Sequence, residues 1–139
     1  MFNKDYEDRL VLWNEFRHSL ELSNTPINDA VEFYNQAPAS KLSVDPWDKT
    51  TWPSPWELLK ENTYCEFNRV LGVCYSLQLT DCFKEADFEI HISTDNNLGY
   101  VYLLEVNNKI IGWEEFVIDK EDLPKDLRSQ VTYSMPKLQ

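Results

Sequence analysis

The chain lacks several features that mark whole classes of protein. It has only three glycines among 139 residues, too few for a loop-rich or low-complexity protein. It contains no apolar run near the roughly 20 residues needed to cross a bilayer. Its first ten residues are acidic and polar, unlike a secretory signal peptide. These absences predict a soluble protein with no membrane partner, which remains in the cytoplasm and is not secreted through a signal peptide.

Positive charge is also scarce. Thirteen lysines and arginines face 24 aspartates and glutamates, which gives a net charge of −11 without any basic cluster. Binding to a phosphate backbone needs several cations on one face, so we expect no direct contact with nucleic acid. A strongly acidic surface can instead imitate DNA, which makes a DNA-mimicking inhibitor one alternative function. The same acidity is common in proteins that are merely soluble.

Cysteine and histidine are few and widely spaced. The cysteines are Cys65, Cys74 and Cys82, and the histidines are His18 and His91. An odd number of cysteines without a secretory signal predicts free thiols. No CxxC motif and no ligand-like histidine spacing occur, so we expect no metal and no cofactor. Cys74 and Cys82 are expected to be buried as small hydrophobic residues.

Apolar and aromatic side chains are abundant. Hydrophobic residues make up 42% of the chain and aromatic residues 14%, enough for a packed core. At this length the chain is expected to form a single domain, residues 1–139, that buries about two thirds of its unfolded surface. We divide it into N-terminal helices (1–36), a Trp/Pro-rich connection with a short helix (37–62), and a helix followed by an antiparallel meander (63–139).

The first half carries helix signals. The first 22 residues place apolar side chains, including Trp13 and Phe16, at intervals of three and four. Thr25 as N-cap and Pro26 at the first helical position begin a second helix. Two capping boxes follow, from Ser54 to Glu57 and from Thr63 to Glu66, and each predicts a further helix.

The second half changes to the period of strands. Ile90 and Ile92 alternate with polar residues, and Asn107-Asn108 is a typical hairpin turn. Residues 119–129 are charged with two leucines four residues apart, which predicts a short helix. The expected strands cover residues 88–93, 100–106, 109–111 and 115–118. The predicted fold class is therefore α+β, with three or four helices packed on a three- to four-stranded antiparallel sheet.

Cys65 is the most reactive candidate. It lies nine residues before Cys74, so the two thiols fall on opposite faces of one helix. If Cys74 is in the core, Cys65 is expected to be more exposed. At the second helical position Cys65 also feels the positive end of the helix dipole, which favours a thiolate. Arg69, one turn later, adds to this effect.

A nucleophilic cysteine needs a base that is oriented by a third group. The segment from Trp52 to Leu79, WPSPWELLKENTYCEFNRVLGVCYSLQL, resembles transglutaminase-like and papain-like cysteine hydrolases. In that superfamily a Trp/Pro-containing lead-in precedes a cysteine that opens a helix, and a histidine and then an Asp or Asn follow on successive strands. The resemblance implies Cys65 as nucleophile and His91 as base, with Glu105 or Asn107 as the orienting group. The alternatives are a catalytically inactive relative, or a thiol and a strand histidine without any joint role.

A second resemblance covers more of the chain. The segments DAVEFYNQAP, DPWDKTTWPSPWELL and YCEFNRVLGVCYSLQLT resemble small proteins encoded by contractile-tailed phages of marine cyanobacteria. This implies an accessory or virion-associated protein, located in the host cytoplasm or the virion.

Tryptophans are the candidate contact residues, because tryptophan is favoured at interface hot spots. Trp47, Trp52, Trp56 and Trp13 are the candidates for binding a protein partner or a second copy. The alternative is that Trp52 and Trp56 form a buried internal clasp. Our preferred function is a non-enzymatic structural or accessory protein that acts through protein–protein contacts. The alternatives are the cysteine hydrolase and the DNA mimic.

Overall fold

The computed structural model describes residues 1–97, 99–114 and 116–138. Its helices precede its strands, so the predicted α+β class is confirmed. The helices are α1 (Tyr6–Leu22), α2 (Pro26–Asn35), α3 (Pro55–Glu61) and α4 (Glu66–Gln78). The strands are β1 (Glu89–Asp95), β2 (Gly99–Val106), β3 (Lys109–Ile111), β4 (Val117–Asp119) and β5 (Arg128–Ser134). Among the helices described, none is long and apolar enough to cross a bilayer.

The strands form one antiparallel sheet in the order β4-β3-β2-β1-β5. Asn107 and Asn108 both have positive φ, at 50° and 62°, as the tight turn between β2 and β3 requires. β4 supplies the expected fourth strand, although Glu115, where that strand was expected to begin, lies outside the described residues. The sheet has one strand more than predicted, because β5 pairs with the free edge of β1.

The helix predicted over residues 119–129 is wrong. The chain forms only a short 3₁₀ turn at Lys120–Asp122 and then enters β5. Leu123 and Leu127, whose spacing indicated a helix, instead pack on the outer face of the sheet, against a small cluster that includes Leu103. A loop that covers a sheet can place two leucines on the same apolar patch as readily as a helix does.

Helix α4 is the centre of the molecule. Eleven of its 13 residues are buried, so it is covered on nearly all sides, as expected for a core helix. The other helices cover one side of it. On its other side the ring of Phe67 meets Tyr102 of β2 edge-on at 5.5 Å. The position of α4 therefore determines where the helices and the sheet meet.

One buried hydroxyl joins three of the helices. The indole nitrogen of Trp13 donates a hydrogen bond to Ser76 Oγ at 2.9 Å, and the hydroxyl of Tyr34 lies 3.1 Å from the same atom. Tyr34 can approach because Gly72 has no side chain: a Cβ there would lie 2.3 Å from the Tyr34 ring. Burial raises the pKa of Tyr34 to about 12, so this phenol remains neutral at physiological pH.

The Trp/Pro segment is only in part the predicted clasp. Trp52 is half-buried between the rings of Phe67 and Tyr133, at 4.9 and 5.0 Å. Trp56 is 50% exposed, so the prediction that it is buried is wrong. Its ring meets Trp13 of the core edge-on at 5.3 Å.

We expect the two tryptophans of this last contact to differ in their effect on stability. Trp13→Ala should lower the free energy of unfolding by about 3–5 kcal/mol, because it removes a fully buried ring and its hydrogen bond. Trp56→Ala should cost clearly less, because half of that side chain is already in water. Urea unfolding followed by circular dichroism measures both. Equal losses for the two variants would contradict the burial seen here.

Candidate functional site

Cys65 is the N-cap of α4 and not a residue inside the helix. Its backbone is extended, and its Sγ accepts a hydrogen bond from the Asn68 backbone N–H at 3.4 Å. The Ser43 hydroxyl donates to the same sulfur at 3.7 Å. The thiol is only 1% exposed. It therefore turns back over the first helical turn, beneath the connection that carries Ser43.

Two expectations about the cysteines are therefore wrong. Cys65 is not the more exposed thiol, because the helical-wheel argument applies only to residues with helical backbone angles and Cys65 precedes them. Cys82, expected to be buried, is exposed in a short 3₁₀ turn after α4. Cys74 is buried, as predicted, and burial raises the pKa of its thiol.

His91 belongs to a polar network on the sheet. Its Nδ1 lies 2.9 Å from Thr132 Oγ1, and its Nε2 lies 3.1 Å from Glu105 Oε1. The other oxygen of Glu105 accepts a hydrogen bond from Lys120 Nζ at 3.0 Å. The histidine and glutamate named from the sequence are thus neighbours, whereas Thr132 and Lys120 were not predicted. No local sequence pattern indicates Thr132, because it reaches His91 only through the pairing of β5 with β1.

The sheet separates this network from Cys65. His91 pairs with Leu103 of β2, and the next residue of β1, Ile92, pairs with Tyr102. Tyr102 faces α4, where it meets Phe67. Because successive residues of a strand point to opposite faces, His91 points away from α4. Cys65, at the start of α4, lies on the inner face of the sheet.

Tyr102 is the residue of the inner face that interacts with the Cys65 region. Burial, followed by the nearby Glu66 carboxylate and Cys65 sulfur, raises the pKa of Tyr102. A tyrosine phenol is already neutral at pH 7, so Tyr102 does not accept a thiol proton there. The sequence marked Tyr102 only as a strand residue.

A cleft of about 400 Å³ opens beside Tyr102, between the helices and the sheet. This size is within the range of ligand-binding pockets. Arg69 reaches into it, and its guanidinium also donates a hydrogen bond to the Ala37 carbonyl. Its lining combines aliphatic, aromatic and charged side chains from α2, α4, β2 and the end of β3, among them Val31, Tyr34, Glu66, Arg69, Val70, Tyr100, Tyr102, Trp113 and Glu114.

The edge of the cleft carries two exposed aromatic rings. Trp47 is 45% and Tyr100 54% exposed, and their rings meet edge-on at 5.5 Å. The Tyr133 hydroxyl donates to the Trp47 carbonyl at 3.2 Å, which attaches the connection to β5. Of the tryptophans proposed as contact residues, Trp47 is thus placed beside a cleft, whereas Trp13 is buried inside the domain and inaccessible to a partner.

The only cluster suited to a metal ion among the described residues is on the outer face of the sheet. Glu89, His91 and Glu105 each offer one ligand atom, and these atoms lie within 4.8 Å of one another. Reasoning from the sequence predicted no metal site, because the three residues come from two strands and meet only when the sheet forms.

Comparison with known proteins identifies a similar fold. No family model and no curated protein matches the sequence. Among solved structures, the chain is similar to calcium-bound LapG of Legionella pneumophila, with a TM-score of 0.71 over 94% of this chain and 77% of that chain. The chain shares the fold of LapG. LapG is a cysteine protease with a transglutaminase-like fold.

The identity to LapG is 15%, so the likeness concerns the fold alone. The fold of LapG is of the kind that the resemblance of the segment around Cys65 implied, and the comparison says nothing about the catalytic residues. The resemblance to phage proteins has no counterpart in these comparisons and stays a prediction.

We expect the cysteines to react with a thiol reagent in an order that follows their burial. In the native protein Cys82 should react first, whereas Cys65 and Cys74 should react only on unfolding. Burial and the nearby Glu21 and Asp81 raise the pKa of the Cys82 thiol, so its rate should increase with pH beyond neutrality. Labelling followed by peptide mass spectrometry assigns each site.

The Cys82→Ser variant is the matched control for this experiment. It should show almost no labelling before denaturant is added. Rapid native-state labelling of Cys65 in this variant would mean that the connection over α4 opens, and it would contradict the burial of the thiol.

Proposed function

We propose that the protein is a non-enzymatic binding protein with a transglutaminase-like fold, and that it takes a segment of a protein partner into the cleft beside α4. The observation that carries this proposal is the pair of exposed rings, Trp47 and Tyr100, at the edge of that cleft. Large aromatic residues at the rim of a concave site are typical of interface hot spots, where they bury much apolar surface at little conformational cost.

The charges around the cleft favour a basic partner segment. Glu66 and Glu114 are exposed at its lining, and the whole chain carries a net charge of −11. Arg69 is the cation of the lining, and its hydrogen bond to Ala37 fixes its position. A segment with an apolar side chain between basic ones fits this arrangement. Complementary charges of this kind accelerate association and contribute to specificity.

The surroundings of the thiol support a non-enzymatic role. Cys65 is buried, and its neighbours are a serine hydroxyl and a backbone N–H. Neither group is a base that activates a thiol. His91 is engaged by Thr132 and Glu105 on the other face of the sheet. Catalysis would need the Cys65 thiol and the His91 ring on the same face, whereas the sheet lies between them.

Peptide selection tests the binding role. Peptides selected from a random library on the purified protein should carry basic and apolar residues. Trp47→Ala and Tyr100→Ala should each weaken their binding by about tenfold or more, since hot-spot truncations cost 2 kcal/mol or more. Fluorescence anisotropy measures the dissociation constants, and melting curves check that each variant is folded.

Trp56→Ala is the matched control, because Trp56 is exposed to a similar extent but lies on Trp13. It should leave the dissociation constants unchanged. Selected peptides whose binding is insensitive to both Trp47→Ala and Tyr100→Ala would refute the proposed contact surface.

A cysteine hydrolase is the second candidate. The fold similarity to LapG, a cysteine protease, and the position of Cys65 at the start of α4 favour it. A hydrolase would cleave a fluorogenic peptide or ester library, lose this activity in Cys65→Ser and His91→Gln, and keep it in Cys82→Ser. Our first proposal predicts no turnover by the unmodified protein. Turnover that depends on Cys65 would refute the binding proposal and support the cysteine hydrolase.

A further inference from the structure

Three metal-ligating side chains converge on the outer face of the sheet. Glu89 and His91 are two residues apart on β1, so both point to this face. Glu105 is directly opposite Glu89 on β2. Neighbouring strands therefore hold all three residues by backbone hydrogen bonds. Ligands on regular strands are held more precisely than ligands on loops.

The three ligand atoms are already close to binding distances. All lie within 4.8 Å of one another, and all three residues are half-buried. A tetrahedral Zn²⁺ site with ligand bonds of about 2.0–2.2 Å needs donor atoms roughly 3.3–3.6 Å apart. His91 Nε2 and Glu105 Oε1 are at 3.1 Å, so small side-chain rotations suffice.

Thr132 supports His91 from outside the cluster. Its hydroxyl lies 2.9 Å from Nδ1, and the two residues are paired between β1 and β5. When Nδ1–H donates to Thr132, Nε2 presents its lone pair to the two carboxylates. Metal-bound histidines are commonly oriented by such a hydrogen bond from the second ring nitrogen.

Lys120 is compatible with a bound cation. Its ammonium contacts Glu105 Oε2, whereas Oε1 faces His91. The lysine thus holds the carboxylate in place without lying between the two ligand atoms. Its side chain is 54% exposed, so it is also free to move into solvent if the local charge changes.

We propose that Glu89, His91 and Glu105 bind one divalent first-row transition-metal ion of the Zn²⁺ type. An imidazole with two carboxylates matches the ligand preference of zinc, whereas Ca²⁺ and Mg²⁺ prefer oxygen ligands alone. A water molecule would complete the tetrahedron as the fourth ligand. The site is on the opposite face of the sheet from the cleft, so this proposal does not depend on the proposed binding function.

Titration calorimetry with Zn²⁺ tests the site. The experiment uses the Cys82→Ser protein, since an exposed thiol binds zinc by itself. We expect one ion per chain. His91→Gln should weaken binding at least tenfold, and Thr132→Val, which removes only the supporting hydroxyl, about tenfold.

His18→Gln is the matched control, because His18 is the other histidine of the chain and is exposed on α1. It should leave the affinity unchanged. Circular dichroism in EDTA checks that each variant is folded; if His91→Gln is not, Glu89→Gln and Glu105→Gln replace it. Co²⁺ in place of Zn²⁺ should give visible absorption bands without a thiolate charge-transfer band.

Three results would overturn the proposal. The first is the absence of binding at millimolar Zn²⁺. The second is an affinity that His91→Gln and the glutamate variants leave unchanged. The third is a strong thiolate band with Co²⁺, because the ion would then be bound by cysteine.

Discussion

The buried hydroxyl of Ser76 is the contact on which the arrangement of the helices depends. It receives the indole N–H of Trp13 and lies beside the Tyr34 hydroxyl, so α1, α2 and α4 meet at one oxygen atom. Unpaired polar groups in such a place would cost several kcal/mol, and a network that is fully paired specifies one packing. The missing side chain at Gly72 brings Tyr34 close enough for this contact. Because α4 is fixed here, the position of its first turn, and with it Cys65 and the cleft, is fixed too.

Successive residues of β1 and β2 point to opposite faces of the sheet. Their polar side chains are therefore separated into two groups, one on each face. Tyr102 and its cleft belong to the inner face, whereas His91 and Glu105 belong to the outer face. A shift of one residue in the pairing of these strands would exchange the two sets. Burial of Ile90 and Ile92 in the core opposes that shift, because the shift would move both side chains to the face that carries His91 and Glu105. The apolar core thus determines which polar residues can act together.

Local signals in the sequence were sufficient for most elements. Pro26 and the Ser54 capping box begin α2 and α3 where expected, and the Asn107-Asn108 turn is correct. The start of α4 was placed too early, because Thr63 to Glu66 has the composition of a capping box but the cap is Cys65 itself. That difference of a few residues reversed the predicted exposure of the thiol. β5 and the contact of Thr132 with His91 depend on pairing between segments about 40 residues apart, which no local pattern encodes.

The similarity to LapG does not extend to the side chains that catalysis needs unless those residues are present in this chain. At 15% identity the two chains share a backbone arrangement, and a backbone arrangement does not determine chemistry. What a thiol at the start of a helix can do depends on the side chain that faces it from the sheet. In this chain Tyr102 lies on the inner face, where its ring meets Phe67 of α4, and a tyrosine phenol is neutral at pH 7. A neutral phenol donates a hydrogen bond but does not remove a thiol proton, and this is one reason why we propose binding and keep hydrolysis as the second candidate.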